Sequence, residues 1–225
     1  MANPTTTVAQ LTTLMLSWLD DPNAGYFDAA TTLVWLNMAQ REVQKQLIMA
    51  GENYYLADPV ETLTVYGQAG YKLPTDFLKE HRIEIIMNGT GANETRQALS
   101  VITLNEQDMT PITLGDPMNY YIQKDFFVVS PTPQTANLTM RLYYSYRIAD
   151  LVNTSSVPDI PEEFQEYIAL LAAYNGFIKD DRAPENLMGK IGDYKERLKQ
   201  MAEDRTQDSS RRIVVTEDWQ SGGYF

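Results

Sequence analysis

The fold depends most on one stretch near the start of the chain, residues 27–50, which read FDAATTLVWLNMAQREVQKQLIMA. Its apolar residues recur at spacings of three, four and seven, namely Ala29, Leu33, Leu36, Val43, Leu47 and Ala50. Because an α-helix completes a turn every ~3.6 residues, this spacing places them on one stripe of a helix. The stretch therefore predicts a long helix that Asp28 caps and that stops at Gly51.

Helical signals precede this stretch and return only after residue 160. A first helix is predicted from Thr5 to Asp20. Pro161 at a first helical position, followed by Glu162 and Glu163, favours a second helical start. The helix that follows is apolar on more than one side around residue 170, which indicates burial between neighbouring helices.

A last helix is predicted by apolar residues that recur every three or four positions, namely Leu187, Ile191, Tyr194 and Leu198. We expect it to pair with the preceding helix as an antiparallel hairpin. After Ala202 the chain turns polar, and residues 203–212 contain no apolar side chain. Apolar residues then return close to the end, which predicts an extended arm that docks on a neighbouring chain.

The middle of the chain has a period of two, which is typical of β-strands. Residues 60–66 and 82–87 predict two strands, and residues 138–146 alternate most clearly. Residues 120–123 and 126–129 predict a hairpin around Lys124-Asp125. Lys-Asp is not a favoured pair for a two-residue turn, so we expect a longer loop.

These elements predict an α+β protein. Its helical bundle is formed by the N- and C-terminal helices, and it carries a β-rich insertion and an extended C-terminal arm. The expected parts are the first helices of the bundle (1–57), the insertion (58–152), the helical hairpin (153–207) and the docking arm (208–225).

The composition excludes several kinds of chemistry. The chain has no cysteine and one histidine, His81, which rules out thiolate sites and argues against zinc. The sequence contains no Gly-x-Ser-x-Gly elbow, no P-loop and no Gly-x-Gly-x-x-Gly fingerprint. We therefore expect no catalytic residues, no metal, no cofactor and no enzymatic activity.

The net charge of −12 argues against a surface that grips nucleic acid through its phosphates. A negative surface is also the ordinary means of keeping a protein soluble, and the sequence leaves both explanations open. The sequence shows neither a signal peptide nor an apolar run that could span a bilayer. We expect a soluble protein that is made in the cytosol and contacts no membrane.

Tyrosines crowd the β-rich middle, at positions 120, 121, 143, 144 and 146. Half-buried tyrosines suit both the packing of a sheet and the binding of a partner or a carbohydrate, because the ring is apolar and the hydroxyl is polar. The sequence leaves both roles open.

Three motifs follow one another in a recognisable order: DPNAGYFD at 21–28, LNMAQREV at 36–43 and YKLPTDFLK at 71–79. This order resembles that of the head-to-tail adaptor, or connector, proteins of tailed bacteriophages. By motif the resemblance covers roughly the first 90 residues. The helical hairpin and the extended C-terminus extend it by layout only.

The resemblance implies a virion protein that forms a homo-oligomeric ring, expected to be a dodecamer, beneath the portal protein. The ring would join the portal to the tail nozzle or tail tube protein and continue the DNA channel, without binding DNA specifically. The segment Ser209–Phe225 would be the portal-binding arm. Its expected contact residues are Ile213, Val215, Trp219, Tyr224 and Phe225, and the expected subunit interface is Leu187, Ile191, Tyr194 and Leu198.

Two other functions remain open at this point. The chain could be another ring of the neck, such as a tail-completion or nozzle subunit. It could also be a carbohydrate-binding or hydrolytic β module on a helical stem.

Overall fold

A computed structural model of the chain describes residues 6–50, 54–89, 91–108, 113–182 and 184–207. The fold is α+β and divides into two compact units. The described residues at both ends of the chain, within Met1–Gly51 and Leu151–Phe225, form the helical unit, and those within Glu52–Asp150 form the β unit.

The helices, in chain order, are α1 (Val8–Trp18), α2 (Ala29–Ala50), the short α3 (Leu104–Asp108), α4 (Gln165–Lys179) and α5 (Glu185–Gln207). The longer strands are β1 (Val60–Leu63), β2 (Gly70–Lys72), β3 (Phe77–Asn88), β4 (Thr95–Ala98), β7 (Asn119–Gln123), β8 (Phe126–Ser130) and β10 (Thr139–Tyr146). Pairs of residues form β5 (Ser100–Val101), β6 (Leu114–Gly115) and β9 (Thr132–Pro133).

Side chains cap the starts of the first two helices. The Thr7 hydroxyl accepts a hydrogen bond from the Gln10 amide (3.4 Å), and the Gln10 side chain accepts one from the Thr7 amide (2.8 Å), which completes a capping box. At α2 the Asp28 carboxylate accepts a hydrogen bond from the Thr31 amide (2.7 Å). The predicted Asp28 cap is therefore confirmed.

The centre of the helical unit is α4, which contacts α1, α2 and α5. Its middle is fully buried, at Tyr167, Ile168, Ala169, Leu170, Ala172 and Ala173. The small residues on this helix let its neighbours approach closely. A Cβ added at Gly176 would lie only 2.7 Å from two carbons of the Leu19 side chain. The predicted burial of this helix between neighbours is confirmed.

The change Gly176→Leu tests this close approach. We expect it to lower the free energy of unfolding by about 1–3 kcal/mol, because the new side chain overlaps Leu19 and the Trp35 ring. Urea denaturation measures the loss. The matched control is Gly189→Leu in α5, where an added Cβ meets none of the described atoms within 4 Å. Equal stability of the two variants would contradict the packing around α4.

The β unit contains two four-stranded sheets that share one apolar core. Their strand orders are β1-β10-β3-β4 and β2-β8-β7-β5, and β6 pairs with β9 separately. Buried residues of both sheets form the core, among them Tyr71, Ile85, Phe127, Met140 and Leu142. From Thr139 to Tyr144 of β10 buried and half-buried residues alternate, as expected of a strand with one face in a core.

Two details of the β unit differ from the sequence predictions. Gln123 pairs with Phe126, so Lys124 and Asp125 form a two-residue turn and the expectation of a longer loop is wrong. Lys124 takes a positive φ of 56° there, held by the pairing of β7 with β8 and by the hydrogen bond from the Leu73 amide to the Asp125 carbonyl (2.8 Å). Strand β3 also begins at Phe77, earlier than predicted, because it pairs with β10 through two register shifts.

Candidate functional site

The apolar row that the sequence predicts as a subunit interface is buried within the chain itself. Leu187, Ile191, Tyr194 and Leu198 are 2%, 5%, 8% and 3% exposed, respectively. Helix α5, which carries them, packs against α2 and α4. These residues therefore hold α5 on its own helical unit, and their role at a subunit boundary stays a prediction.

Tyr194 joins α5 to α4. Its ring stacks on Tyr167 with 5.1 Å between the ring centroids, and its hydroxyl donates a hydrogen bond to the Glu166 carboxylate (2.8 Å). Burial, together with this hydrogen bond, raises the pKa of Tyr194 to about 12. The Tyr194 hydroxyl therefore keeps its proton at neutral pH and fixes the position of Glu166.

Two open grooves follow the two sides of α5. The acidic groove, between α4 and α5, has a volume of about 590 Å³ and is lined by Pro161, Glu162, Glu163, Glu166 and Tyr194. The lysine groove, between α2 and α5, has a volume of about 410 Å³ and is lined by Gln46, Met49, Ala50, Lys195, Leu198 and Lys199. The two grooves thus carry opposite charge, because the carboxylates of one lie on the turn before α4 and on α4, and the lysines of the other lie on α5.

From the sequence alone, Glu162 and Glu163 indicate only a helix start, and Lys195 and Lys199 are not distinguished as site residues. The sequence signal for the two lysines is their position on α5. Lys195 directly follows Tyr194, and Lys199 directly follows Leu198, and both preceding residues belong to the buried apolar row. Such a position lies on the flank of an amphipathic helix, at the edge of the face that it buries.

The motif at 21–28 builds the turn between α1 and α2. The Asp21 carboxylate accepts hydrogen bonds from the amides of Gly25 (2.9 Å), Tyr26 (3.0 Å) and Phe27 (3.1 Å). These bonds, first of all those from Tyr26 and Phe27, lower the pKa of Asp21. They place the buried Phe27 ring against Trp35 of α2, with 5.3 Å between ring centroids.

The motif at 71–79 connects the two sheets of the β unit. The Tyr71 hydroxyl donates a hydrogen bond to the Gln68 carbonyl (2.9 Å), which holds the turn before β2. The Asp76 carboxylate accepts a hydrogen bond from the Tyr144 hydroxyl (3.1 Å), and the Phe77 ring stacks on that tyrosine. The motif therefore has a structural role in positioning β2 and β3.

One pair of residues has the geometry of a nucleophile and its base. The Nε2 atom of His81 lies 2.8 Å from the hydroxyl oxygen of Ser145. Ser145 is 0% exposed, so no substrate can reach its hydroxyl. The pair links β3 to β10 close to a register shift, which gives it a structural role.

In the part of the chain that the structure describes, no three His, Asp or Glu side chains gather to hold a metal.

The clustered tyrosines pack within the β unit. Tyr120 and Tyr144 are buried, and burial raises the pKa of Tyr120 to about 12. The guanidinium of Arg82 covers the half-buried ring of Tyr143 at 4.3 Å from its centroid. Of the two roles that the sequence left open, these contacts favour packing of the sheets.

The expected portal-contact residues, Ile213, Val215, Trp219, Tyr224 and Phe225, lie outside the described residues, as does the whole arm 208–225. Among the helices within the described ranges, none is both long and apolar enough to cross a membrane.

The model of the SU10 adaptor protein family matches residues 6–216, a range that includes the whole β unit and most of the helical unit. The chain belongs to the SU10 adaptor protein family. This membership confirms the resemblance to the head-to-tail adaptors of tailed phages, a family of structural proteins. No curated protein matches the chain.

In this SU10-family adaptor, Asp21→Asn tests the turn between α1 and α2. Because the pKa of Asp21 is lowered from 3.8 in the folded state, its contribution to stability is complete above that value. The contribution disappears as the pH falls through the lower, folded pKa. We expect the variant to be less stable at neutral pH and to lose less stability on acidification.

Urea denaturation over a pH series measures both effects. The matched control is Asp20→Asn, because Asn also tolerates the positive φ of 60° at that position. An unchanged pH dependence in Asp21→Asn would show that the three amide hydrogen bonds do not stabilise the turn.

The change Leu198→Ala tests whether the apolar row of α5 belongs to the core of the adaptor. We expect it to lower the free energy of unfolding of the isolated chain by about 2–5 kcal/mol, because it leaves a cavity beneath α5. The control is Met188→Ala on the same helix, which removes a side chain from a residue that is 52% exposed. Full stability of the Leu198→Ala chain would contradict this burial.

Proposed function

We propose that this chain is a non-enzymatic head-to-tail adaptor of a phage virion, made in the host cytoplasm. It forms a ring beneath the portal protein, joins the portal to the tail nozzle or tail tube protein, and continues the DNA channel. The observation that carries the proposal is the family match, which covers residues 6–216 and thus extends over the whole β unit and most of the helical unit.

The charge of the chain supports a role in DNA passage. DNA that is ejected must move past the ring without being held. A net charge of −12 opposes binding to phosphates, because that binding depends on clustered Lys and Arg. The negative charge therefore suits a proposed channel through which DNA moves without being bound.

The proposed ring is a homo-oligomer, expected to be a dodecamer. Subunits of a ring meet through heterologous contacts, in which two different surfaces of the same chain face each other around the circle. The proposed contact with the portal is made by the arm 208–225, through the apolar residues of the sequence between Ile213 and Phe225. Aromatic anchors such as Trp219 and Tyr224 are the residue types that dominate binding energy at interfaces.

Deletion of Ile213–Phe225 tests the proposed portal contact. We expect the truncated chain to keep its folded stability and its circular dichroism spectrum, because the described core lies before residue 208. We expect it to lose binding to the portal ring, measured by co-sedimentation. The milder variant Trp219→Ala should weaken binding by about 2 kcal/mol if this residue is a hot spot.

A chain of full length in which the order of residues 213–225 is scrambled serves as the matched control for the deletion. Unfolding of the truncated chain would show that the segment belongs to the core. Undiminished portal binding by the truncated chain would contradict the arm, and failure of the intact chain to bind portal would favour a tail-completion or nozzle ring instead.

A further inference from the structure

The lysine groove is an apolar surface that the described part of the chain leaves open. Its floor is formed by Leu198, and Met49 at its edge is 77% exposed although it is a large apolar residue. Lys195 and Lys199 rise from the α5 side, and the described residues that line this groove include no acidic side chain. An apolar centre with a polar rim is the usual composition of a protein interface.

The acidic groove on the other side of α5 has the complementary charge. Glu162 and Glu163 are exposed on the short 3₁₀ turn that precedes α4, and Glu166 is held in place by the Tyr194 hydroxyl. Arg197 is the nearby cation, with its guanidinium 5.3 Å from the Tyr194 ring. Three carboxylates against this guanidinium leave the groove negative, and Pro161 adds an apolar contact at its edge.

We propose that the turn at Glu162 and Glu163 of one copy of this chain docks into the lysine groove of the next copy. The inference rests on the proposed function, because it names the surfaces through which the ring closes. The occupant is a second copy because the complementary charge lies on this same chain, on the opposite side of α5. The two sides differ, so each copy offers one surface to each neighbour.

This arrangement meets the geometric requirement of a ring. A contact between two different surfaces is heterologous, and it repeats in one direction from copy to copy until the circle closes. Glu162 and Glu163 would face Lys195 and Lys199, while Pro161 covers the apolar floor. Because the charged groups are exposed, we also expect assembly to weaken as the salt concentration rises.

Charge reversal tests the contact. One variant is Glu162→Lys with Glu163→Lys, and the other is Lys195→Glu with Lys199→Glu. Each reverses one surface and places like charges opposite each other, so we expect each alone to raise the concentration for half-assembly by at least ~10-fold. A ring in which the two variants alternate again offers opposite charges at every boundary, as does a chain that carries all four changes.

Assembly is measured as the number of copies bound per portal ring, by native mass spectrometry and over a concentration series. The matched control is Lys72→Glu with Lys79→Glu, the same charge change at exposed positions of the β unit, which should assemble like the unchanged chain. If a reversed variant fails to fold, the Gln variants at the same positions replace it, and they should weaken assembly without repulsion.

Recovery of rings in the mixture is the result that supports the contact. Normal assembly of both single-surface variants would overturn it, and so would a mixture that does not recover. Failure of the unchanged chain to form a ring on the portal would instead overturn the proposed function. Ring formation by the unchanged chain on the portal therefore distinguishes failure of the proposed contact from failure of the proposed function.

Discussion

The helical unit depends on the burial of α4 between α1, α2 and α5. Helices α1 and α2 precede the β unit in the chain, and α4 and α5 follow it, so packing around α4 is what joins the two ends into one unit. Alanines and Gly176 make this possible, because larger side chains would keep Leu19 and Trp35 at a distance. The β unit is consequently an insertion in the chain between α2 and α4, and the helices before and after it pack on one another as one unit.

The position of α5 follows from the same packing. Its apolar row is occupied by contacts with α2 and α4, and the grooves that border it on α4 and on α2 are lined by residues of opposite charge. A structural adaptor needs surfaces for other subunits more than it needs a reactive centre. Among the described residues, His81 and Ser145 form a pair with catalytic geometry, and the burial of the serine closes it to substrate.

Much of the helical unit could be predicted from sequence, because its helices carry strong local signals. The period of α2, its Asp28 cap and the all-round apolarity of α4 each depend on neighbouring residues only. Strand β4 could not be predicted in this way, since Thr95–Ala98 has no apolar alternation and pairs with β3 through tertiary contacts. An ion-pair network supports it, in which Arg141 binds Glu94 through two hydrogen bonds (2.6 and 3.0 Å). The two grooves could not be predicted from sequence either, because each is lined by residues that lie far apart in the chain.

The most direct test of the account is electron cryomicroscopy of the neck of the assembled phage particle. The account predicts a ring of copies of this chain in contact with the portal, with the two sides of α5 at each boundary between neighbouring copies. Density that places the chain elsewhere in the particle, or as a single copy, would contradict the account.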